Sequence, residues 1–151
     1  MTQKPFAESC EQNKQPILEI LLSEFSNKQN ILEIGSGTGQ HAVFFAENMP
    51  HLRWHTSERS ENIPGIHAWL ADANAKNIVP PFELDVNESH WPDIKFDGIF
   101  SANTVHIMAW QEVEKMFEGI GSIIAENGVF CLYGPFNYNG KFTSESNARF
   151  D

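Results

Sequence analysis

Positive charge is scarce in this chain. Ten Lys and Arg stand against twenty Asp and Glu, a formal net charge of −10 over 151 residues. Such a surface repels a phosphate backbone, which excludes wholesale nucleic-acid binding and leaves a small molecule as the expected partner. Cysteine is also scarce. Cys10 and Cys131 lie far apart in sequence, so neither a disulfide framework nor a metal-ligand spacing is present, and no metal site is expected. Cys131 falls inside the apolar run Val129, Phe130, Leu132, where a buried small hydrophobe is expected rather than a nucleophile. Long apolar runs are missing too. The opening Met1-Thr2-Gln3-Lys4-Pro5 has no apolar signal core, and nowhere do about eighteen apolar residues follow one another. No membrane contact is expected, and a cytoplasmic location follows by default.

What is present suits one globular domain over 1–151. Hydrophobic residues make up 41% of the chain and aromatics 12%, enough to form a substantial core. Pro16 sits where a first helical turn tolerates it, and Ile17, Leu18, Leu21, Leu22 and Phe25 repeat at helical spacing, predicting a helix over 16–26. Asn30 to Ile34 reads as a strand that stops at glycines, and Gln40 to Asn48 as a helix ended by Pro50. Further strands are expected at 52–56, 82–86, 96–101 and 129–133, with helices over 64–75 and 110–125. Such alternation predicts an α/β fold, a Rossmann-like doubly wound and mostly parallel sheet covered on both faces. Residues 134–151, rich in Gly, Asn, Ser and Phe, are expected to form an irregular tail. The four tryptophans, Trp54, Trp69, Trp91 and Trp110, read as core or packing residues.

The chemistry concentrates at Glu33-Ile34-Gly35-Ser36-Gly37-Thr38-Gly39. In an open parallel sheet, ligands bind beyond the carboxyl ends of the strands, where the first turn presents backbone N–H groups and a helix N-terminus. Gly35 and Gly37 permit positive φ and remove the Cβ atoms that would hold a ligand away, while Gly39 permits close packing at the start of the next helix. The spacing narrows the ligand. A dinucleotide turn places its third glycine at position 40, where this chain has Gln40, and a triphosphate loop needs a Lys that is absent between Lys28 and Lys76.

Acids accompany the turn. Glu58, 23 residues after Gly35, stands where a carboxylate accepts from both hydroxyls of a ribose. Asp85, at the end of the predicted third strand, can accept from an exocyclic adenine amine, and Glu33 can face an ammonium directly or through water. A solvated surface carboxylate is the alternative for each alone.

Ile31-Leu32-Glu33-Ile34-Gly35-Ser36-Gly37-Thr38-Gly39 resembles motif I of class I S-adenosylmethionine-dependent methyltransferases, with Glu58 and Asp85 in register for the next two motifs. Asn13-Lys14-Gln15-Pro16-Ile17-Leu18, Ser101-Ala102-Asn103-Thr104-Val105-His106-Ile107, Gly134-Pro135-Phe136, Phe142-Thr143-Ser144 and Ser146-Asn147-Ala148-Arg149-Phe150-Asp151 further resemble a small methyltransferase-like family known as domain of unknown function 938. The resemblance implies S-adenosylmethionine as cofactor. It implies that Glu33 contacts the methionine portion, Gly35, Ser36, Gly37, Thr38 and Gly39 wrap it, Glu58 holds the ribose, Asp85 with Val86 addresses the adenine, and Ser101, Ala102 and Asn103 flank the sulfonium. Residues 1–15 become a lid or extension, with Asn13 either closing over the cofactor or capping the first helix. Class I domains continue into a sixth and seventh strand that pair antiparallel, so either the chain is a fragment truncated after the fifth strand, with an open sheet edge, or its end is unusual.

Methyl transfer needs in-line approach, water exclusion and a nucleophile with a free lone pair. His106 is the candidate general base and Asn103 the group that orients the substrate; packing against the following helix is the alternative for His106. Tyr133, Phe136, Tyr138 and Asn147 lie on the side where substrates enter such sheets, so their aromatics can line an acceptor pocket; the alternative is that Phe136, Phe142 and Phe150 only pin the tail to the core. His41 either touches the cofactor or lies on the surface at a helix start. The expected activity is methyl transfer to a small molecule, with a noncatalytic cofactor-binding or protein-interaction domain as the alternative. A nicotinamide-dependent oxidoreductase is disfavoured by the glycine spacing.

Overall fold

A computed structural model describes residues 4–88, 91–102 and 109–134, together with the backbone of 136–138, 141–143 and 147–150. Helix α1 (Glu8–Glu24) precedes strand β1 (Asn30–Glu33), and the glycine turn leads into α2 (Gln40–Asn48). Then follow β2 (Arg53–Glu58), a short 3-10 turn (Ser60–Asn62), α3 (Ile63–Ala71), β3 (Ile78–Glu83) and β4 (Phe96–Ala102). Helix α4 (Trp110–Ile123) runs directly into β5 (Ile124–Tyr133), and β6 (Phe136–Tyr138), β7 (Lys141–Thr143) and β8 (Asn147–Phe150) follow. The main sheet has the order β3-β2-β1-β4-β5-β8, parallel throughout except for β8.

Alternation along the central strands builds two cores. Ile31, Trp54, Phe100 and Cys131 face one side, against Ile17, Leu18, Leu21 and Phe25 around α1 and Ala42, Phe45 and Ala46 of α2. Leu32, Ile99, Phe130 and Leu132 face the other, against Met116, Ile120 and Ile123 of α4. Successive side chains of a strand point to opposite faces, so burial of both sets gives the two-sided covering expected of a doubly wound sheet. Cys131 lies in this core as a reduced thiol.

Several boundaries differ from expectation. Helix α1 begins two turns before Pro16 and contains it, because Glu11 and Asn13 are held by residues of α2. Strand β3 lies earlier than predicted and includes Pro80 and Pro81; it is an edge strand, where a missing N–H costs no ladder bond. Asp85 therefore lies beyond that strand, whereas Glu58 is the last residue of β2. Helix α3 stops at Ala71 rather than Ala75. Glu126, Asn127 and Gly128 do not interrupt β5 but bulge within it: Phe96 pairs Ile124, Gly98 pairs Val129, and Asn127 takes a positive φ of 65°.

Within the stretch expected to be an irregular tail, the described residues include three short strands. Strands β6 and β7 pair antiparallel, and Asn139-Gly140, a dipeptide favoured in hairpin turns, lies between them in sequence. Strand β8 pairs antiparallel with β5, Phe130 opposite Phe150 and Tyr133 opposite Asn147. The edge expected to be open thus carries a neighbour, since β8 satisfies the N–H and C=O groups that β5 would otherwise expose. Trp110 also departs from expectation: at the first turn of α4, ahead of the buried stripe that starts at Val113, it is 70% exposed.

Candidate functional site

The turn after β1 is built from three left-handed glycines, Gly35 at φ 71°, Gly37 at 60° and Gly39 at 97°, a region that other residues enter at a cost. The last two positions differ in surroundings. A Cβ at Gly39 would lie 3.2 Å from the Trp69 Cβ, so this glycine lets α3 pack against the start of α2. A Cβ at Gly37 would meet nothing within 4 Å. That space is where a ligand can approach the backbone.

Serine hydroxyls brace the turn from within. Ser57 Oγ donates to the Glu33 carbonyl at 2.6 Å, Ser36 Oγ accepts from the Ser57 N–H at 3.1 Å, and Ser36 N–H donates to the Ser57 carbonyl at 2.8 Å. On the opposite strand, Ser101 Oγ donates to the Ile34 carbonyl at 2.8 Å and is fully buried. Ser36 and Ser101 thus support the backbone of the turn. Ala102, the last residue of β4, packs against the core on the α1 side.

Beside the turn lies a cleft of about 280 Å³. Its apolar residues are Ile34, Leu84 and Val86, all buried, and its polar ones include Glu58, Arg59, Glu61, Asp85 and Glu112. Among the described residues of the lining, four carboxylates stand against one guanidinium, a formal charge of about −3. Glu58 Oε2 accepts from the Gly37 N–H at 2.8 Å and Oε1 from the Arg59 N–H at 2.8 Å. A carboxylate has about four acceptor positions, so both oxygens retain capacity for ligand hydroxyls. Asp85 Oδ1 accepts from the Asn87 N–H at 2.9 Å, and its Oδ2 lies 3.7 Å from the Arg59 guanidinium. Glu112 accepts from the Ala109 N–H at 3.0 Å and the Asn87 amide at 2.8 Å, and these bonds, the first above all, hold its carboxyl below the usual range.

Glu33 sits behind the turn, 1% exposed. Burial pushes its carboxyl up to about 7, although the Trp54 Nε1–H, which donates at 3.2 Å, and Ser36 oppose the rise; the Glu58 charge adds to it. An ionised Glu33 at this place therefore gains from a cation. His41 is neither at the cleft nor on the surface. It is buried, stacked on Phe45 with ring centroids 5.1 Å apart, and its Nε2–H donates to Asn13 Oδ1 at 2.8 Å. Burial drives its imidazole down to about 4, so it is neutral at pH 7. Asn13 lies inside α1 and caps nothing.

Of the residues singled out in the sequence, Gly35, Glu58, Asp85 and Val86 line the cleft. Gly37 and Thr38 line a neighbouring hollow with Pro5, Pro64 and Gly65, and Glu61 and Asn62 line both it and the cleft. Asn103 and His106 fall outside the described residues, as do the side chains of Phe136, Tyr138 and Asn147. Arg59, Glu61 and Glu112 were not anticipated. Their signals were present: two flank Glu58 closely in sequence, and Glu112 stands three residues after the helix N-cap Ala109, where a carboxylate reaches back to the first N–H. Among the described residues, no cluster of His, Cys, Asp or Glu is arranged to hold a metal, and no helix is long and apolar enough to cross a membrane.

The family model described as protein of unknown function (DUF938) matches residues 4–151. The chain belongs to that family. The fold of this DUF938 chain is similar to that of the S-adenosylmethionine-dependent methyltransferase SibL in its apo form, with a TM-score of 0.76 and 15% identity over 87% of this chain and 38% of that one. It is also similar to coclaurine N-methyltransferase bound to N-methylheliamine and SAH, at TM-score 0.67 and 16% identity over 87% of this chain and 38% of the other. Human N-acetylserotonin methyltransferase in complex with SAM is similar at TM-score 0.70 and 17% identity, over 84% and 35%. These likenesses establish the class I methyltransferase fold for the DUF938 chain, which spans less than 40% of the length of these three solved chains.

Proposed function

We propose that the cleft binds S-adenosylmethionine and that the protein transfers its methyl group to a small-molecule acceptor. The observation that carries this is the placement of the Glu58 carboxylate, 2.8 Å from the N–H of Gly37, on a cleft that holds four carboxylates and one cation. Such a lining repels the pyrophosphate of a nicotinamide dinucleotide and favours a ligand with net positive charge. A glycine turn with open space at Gly37 and an apolar floor of Ile34, Leu84 and Val86 suits an adenosyl group.

In this proposal Glu58 accepts from the ribose hydroxyls, while Asp85 and the backbone at Val86 address the adenine edge. Glu33 offsets the charge of the methionine ammonium from behind Gly35, Ser36, Gly37, Thr38 and Gly39, whose backbone wraps that portion. Ser101 and Ala102 hold the end of β4 beside the turn, and the segment after them supplies Asn103 to orient the acceptor and His106 to take its proton. When bound, S-adenosylmethionine supplies an electrophilic methyl group on a positively charged sulfur. The chain's contribution is to hold donor and acceptor in line and exclude water, which by itself accounts for a large part of such a rate.

The test is incubation of the protein with methyl-labelled S-adenosylmethionine and a panel of small amines, phenols and carboxylates. Label transfer with equimolar S-adenosylhomocysteine is expected. Tight adenosyl binding with no transfer to any acceptor class would make this a noncatalytic binding domain.

A further inference from the structure

Gln40 occupies the position where a dinucleotide turn has its third glycine, and its side chain has no part in the cleft beside Glu58. It is 3% exposed, at the first position of α2. The carboxamide oxygen accepts from the Ala7 N–H and, at 2.9 Å, from the Thr38 hydroxyl. The amide nitrogen donates to the Ala7 carbonyl at 3.3 Å and to Glu11 Oε2 at 2.9 Å. One side chain thus grips both backbone groups of Ala7, the N-cap of α1, a hydroxyl of the glycine turn and a carboxylate one helical turn further on.

The segment it grips forms a wall beside the turn. The Trp69 Nε1–H donates to the Pro5 carbonyl, and a Cβ at Gly65 would come within 2.8 Å of the Pro5 ring. Pro5 then lines the hollow together with Gly37 and Thr38. The pair His41–Asn13 is a second tie between α2 and α1, one residue beyond Gln40. Replacing Gln40 by the glycine of a dinucleotide turn would delete every one of the carboxamide contacts.

We propose that Gln40 is a positioning residue for the adenosyl ligand, clamping residues 5–11 over the glycine turn so that release of the clamp speeds ligand departure. The inference rests on the cofactor assignment under the proposed function. Gln40 need not touch the ligand, because it acts through the segment it holds.

The test uses Gln40→Glu, Glu11→Gln, the double variant and Glu11→Ala in the full chain, with S-adenosylhomocysteine as probe. A glutamate at position 40 keeps an acceptor for Ala7 and Thr38 but sets two carboxylates against each other at the 2.9 Å contact with Glu11. Amide exchange of residues 6–11 in the ligand-free protein and the dissociation rate of the probe are both expected to rise about tenfold, the scale of one charged hydrogen bond lost. Glu11→Gln in the same chain restores a donor and is expected to bring both quantities back to within about threefold of wild type. Glu11→Ala, which leaves the glycine turn intact, is expected to move both in the same direction as Gln40→Glu, and it decides the matter should the latter not fold. Faster exchange at 6–11 with an unchanged probe dissociation rate would overturn the positioning role and leave the cofactor assignment standing. Failure of the wild type to bind the probe would instead remove the cofactor assignment, and this inference with it.

Discussion

Replacing Glu33 by glutamine is expected to make the protein more sensitive to acid and more stable in base, relative to wild type. The wild-type carboxyl is buried beside neutral donors, and its ionisation is pushed from 4.5 up to about 7. A folded state that holds a proton more tightly than the unfolded state has stability that is fully present below the unfolded value and lost as pH rises through the folded one. The gap is about 2.5 pH units, and at about 1.4 kcal/mol per unit the contribution of Glu33 to wild-type stability falls by about 3 kcal/mol between pH 4.5 and pH 8. Glutamine keeps the oxygen that accepts from Trp54 and has no proton to lose. The difference in unfolding free energy, variant minus wild type, should therefore rise by about 3 kcal/mol over that interval, or roughly 6–12 °C in Tm for a chain of this size. His41 acts with the opposite sign: its imidazole, driven down to about 4, contributes stability that is lost as pH falls from 6.5 through 4. Present in both proteins, it cancels from the difference, and in the Glu33→Gln variant it leaves a stability curve that climbs across the range where wild type is flat. Urea unfolding of both proteins at pH 4.5, 6 and 8 is the assay. A difference that does not change with pH would refute the burial of an ionisable Glu33 carboxyl.

The other predictions concern the cleft and its frame. At pH 7, S-adenosylhomocysteine is expected to release up to about half a proton on binding, because its ammonium favours ionised Glu33, whereas adenosine releases none; calorimetry in two buffers of different ionisation enthalpy reads this, and equal release by both ligands would contradict it. Glu58→Ala is expected to weaken S-adenosylhomocysteine by roughly 1.5–3 kcal/mol through lost charged hydrogen bonds, and an unchanged dissociation constant by the same method would remove Glu58 from the ribose role. Gly37→Ala and Gly39→Ala both force alanine into positive φ, at about 1–2 kcal/mol each. Only Gly39→Ala adds a crowded contact with Trp69, so thermal melts should place it below Gly37→Ala, which in turn should lose affinity for S-adenosylhomocysteine. At Gly119, where an added Cβ would fall 1.9 Å from the Trp91 ring, alanine is expected to cost roughly 1–3 kcal/mol of stability by denaturant titration without altering ligand affinity.

The parts of the fold set by local pattern were legible in the sequence. The three-glycine turn, the helix over 40–48 and the strands beginning at Asn30 and Phe96 need only periodicity and turn chemistry to be placed. What escaped depends on partners distant in sequence. Nothing near Pro16 announces that the helix extends back to Glu8; that follows from Gln40 and His41, which hold Glu11 and Asn13. The two prolines of β3 look like a break until the strand is known to lie at an edge. The same holds at the site. Glu58 and Asp85 could be picked out by their place near strand ends, whereas Arg59 and Glu112, though their positions carry local sequence signals, are brought to the cleft only by the fold of the turn after β2 and the start of α4. Glu33 was expected to face a ligand, and its near-complete burial, with the raised ionisation that follows, emerges only once Trp54 is packed beside it.

The central claim is that the cleft beside Gly37 recognises an adenosyl cation rather than a dinucleotide. Isothermal titration of the wild-type chain with S-adenosylmethionine, and separately with NAD, tests it most directly. Saturable binding of S-adenosylmethionine at one site, weakened by Glu58→Ala and accompanied by no binding of NAD, is the predicted result; no binding of S-adenosylmethionine, or tighter binding of NAD, would contradict it.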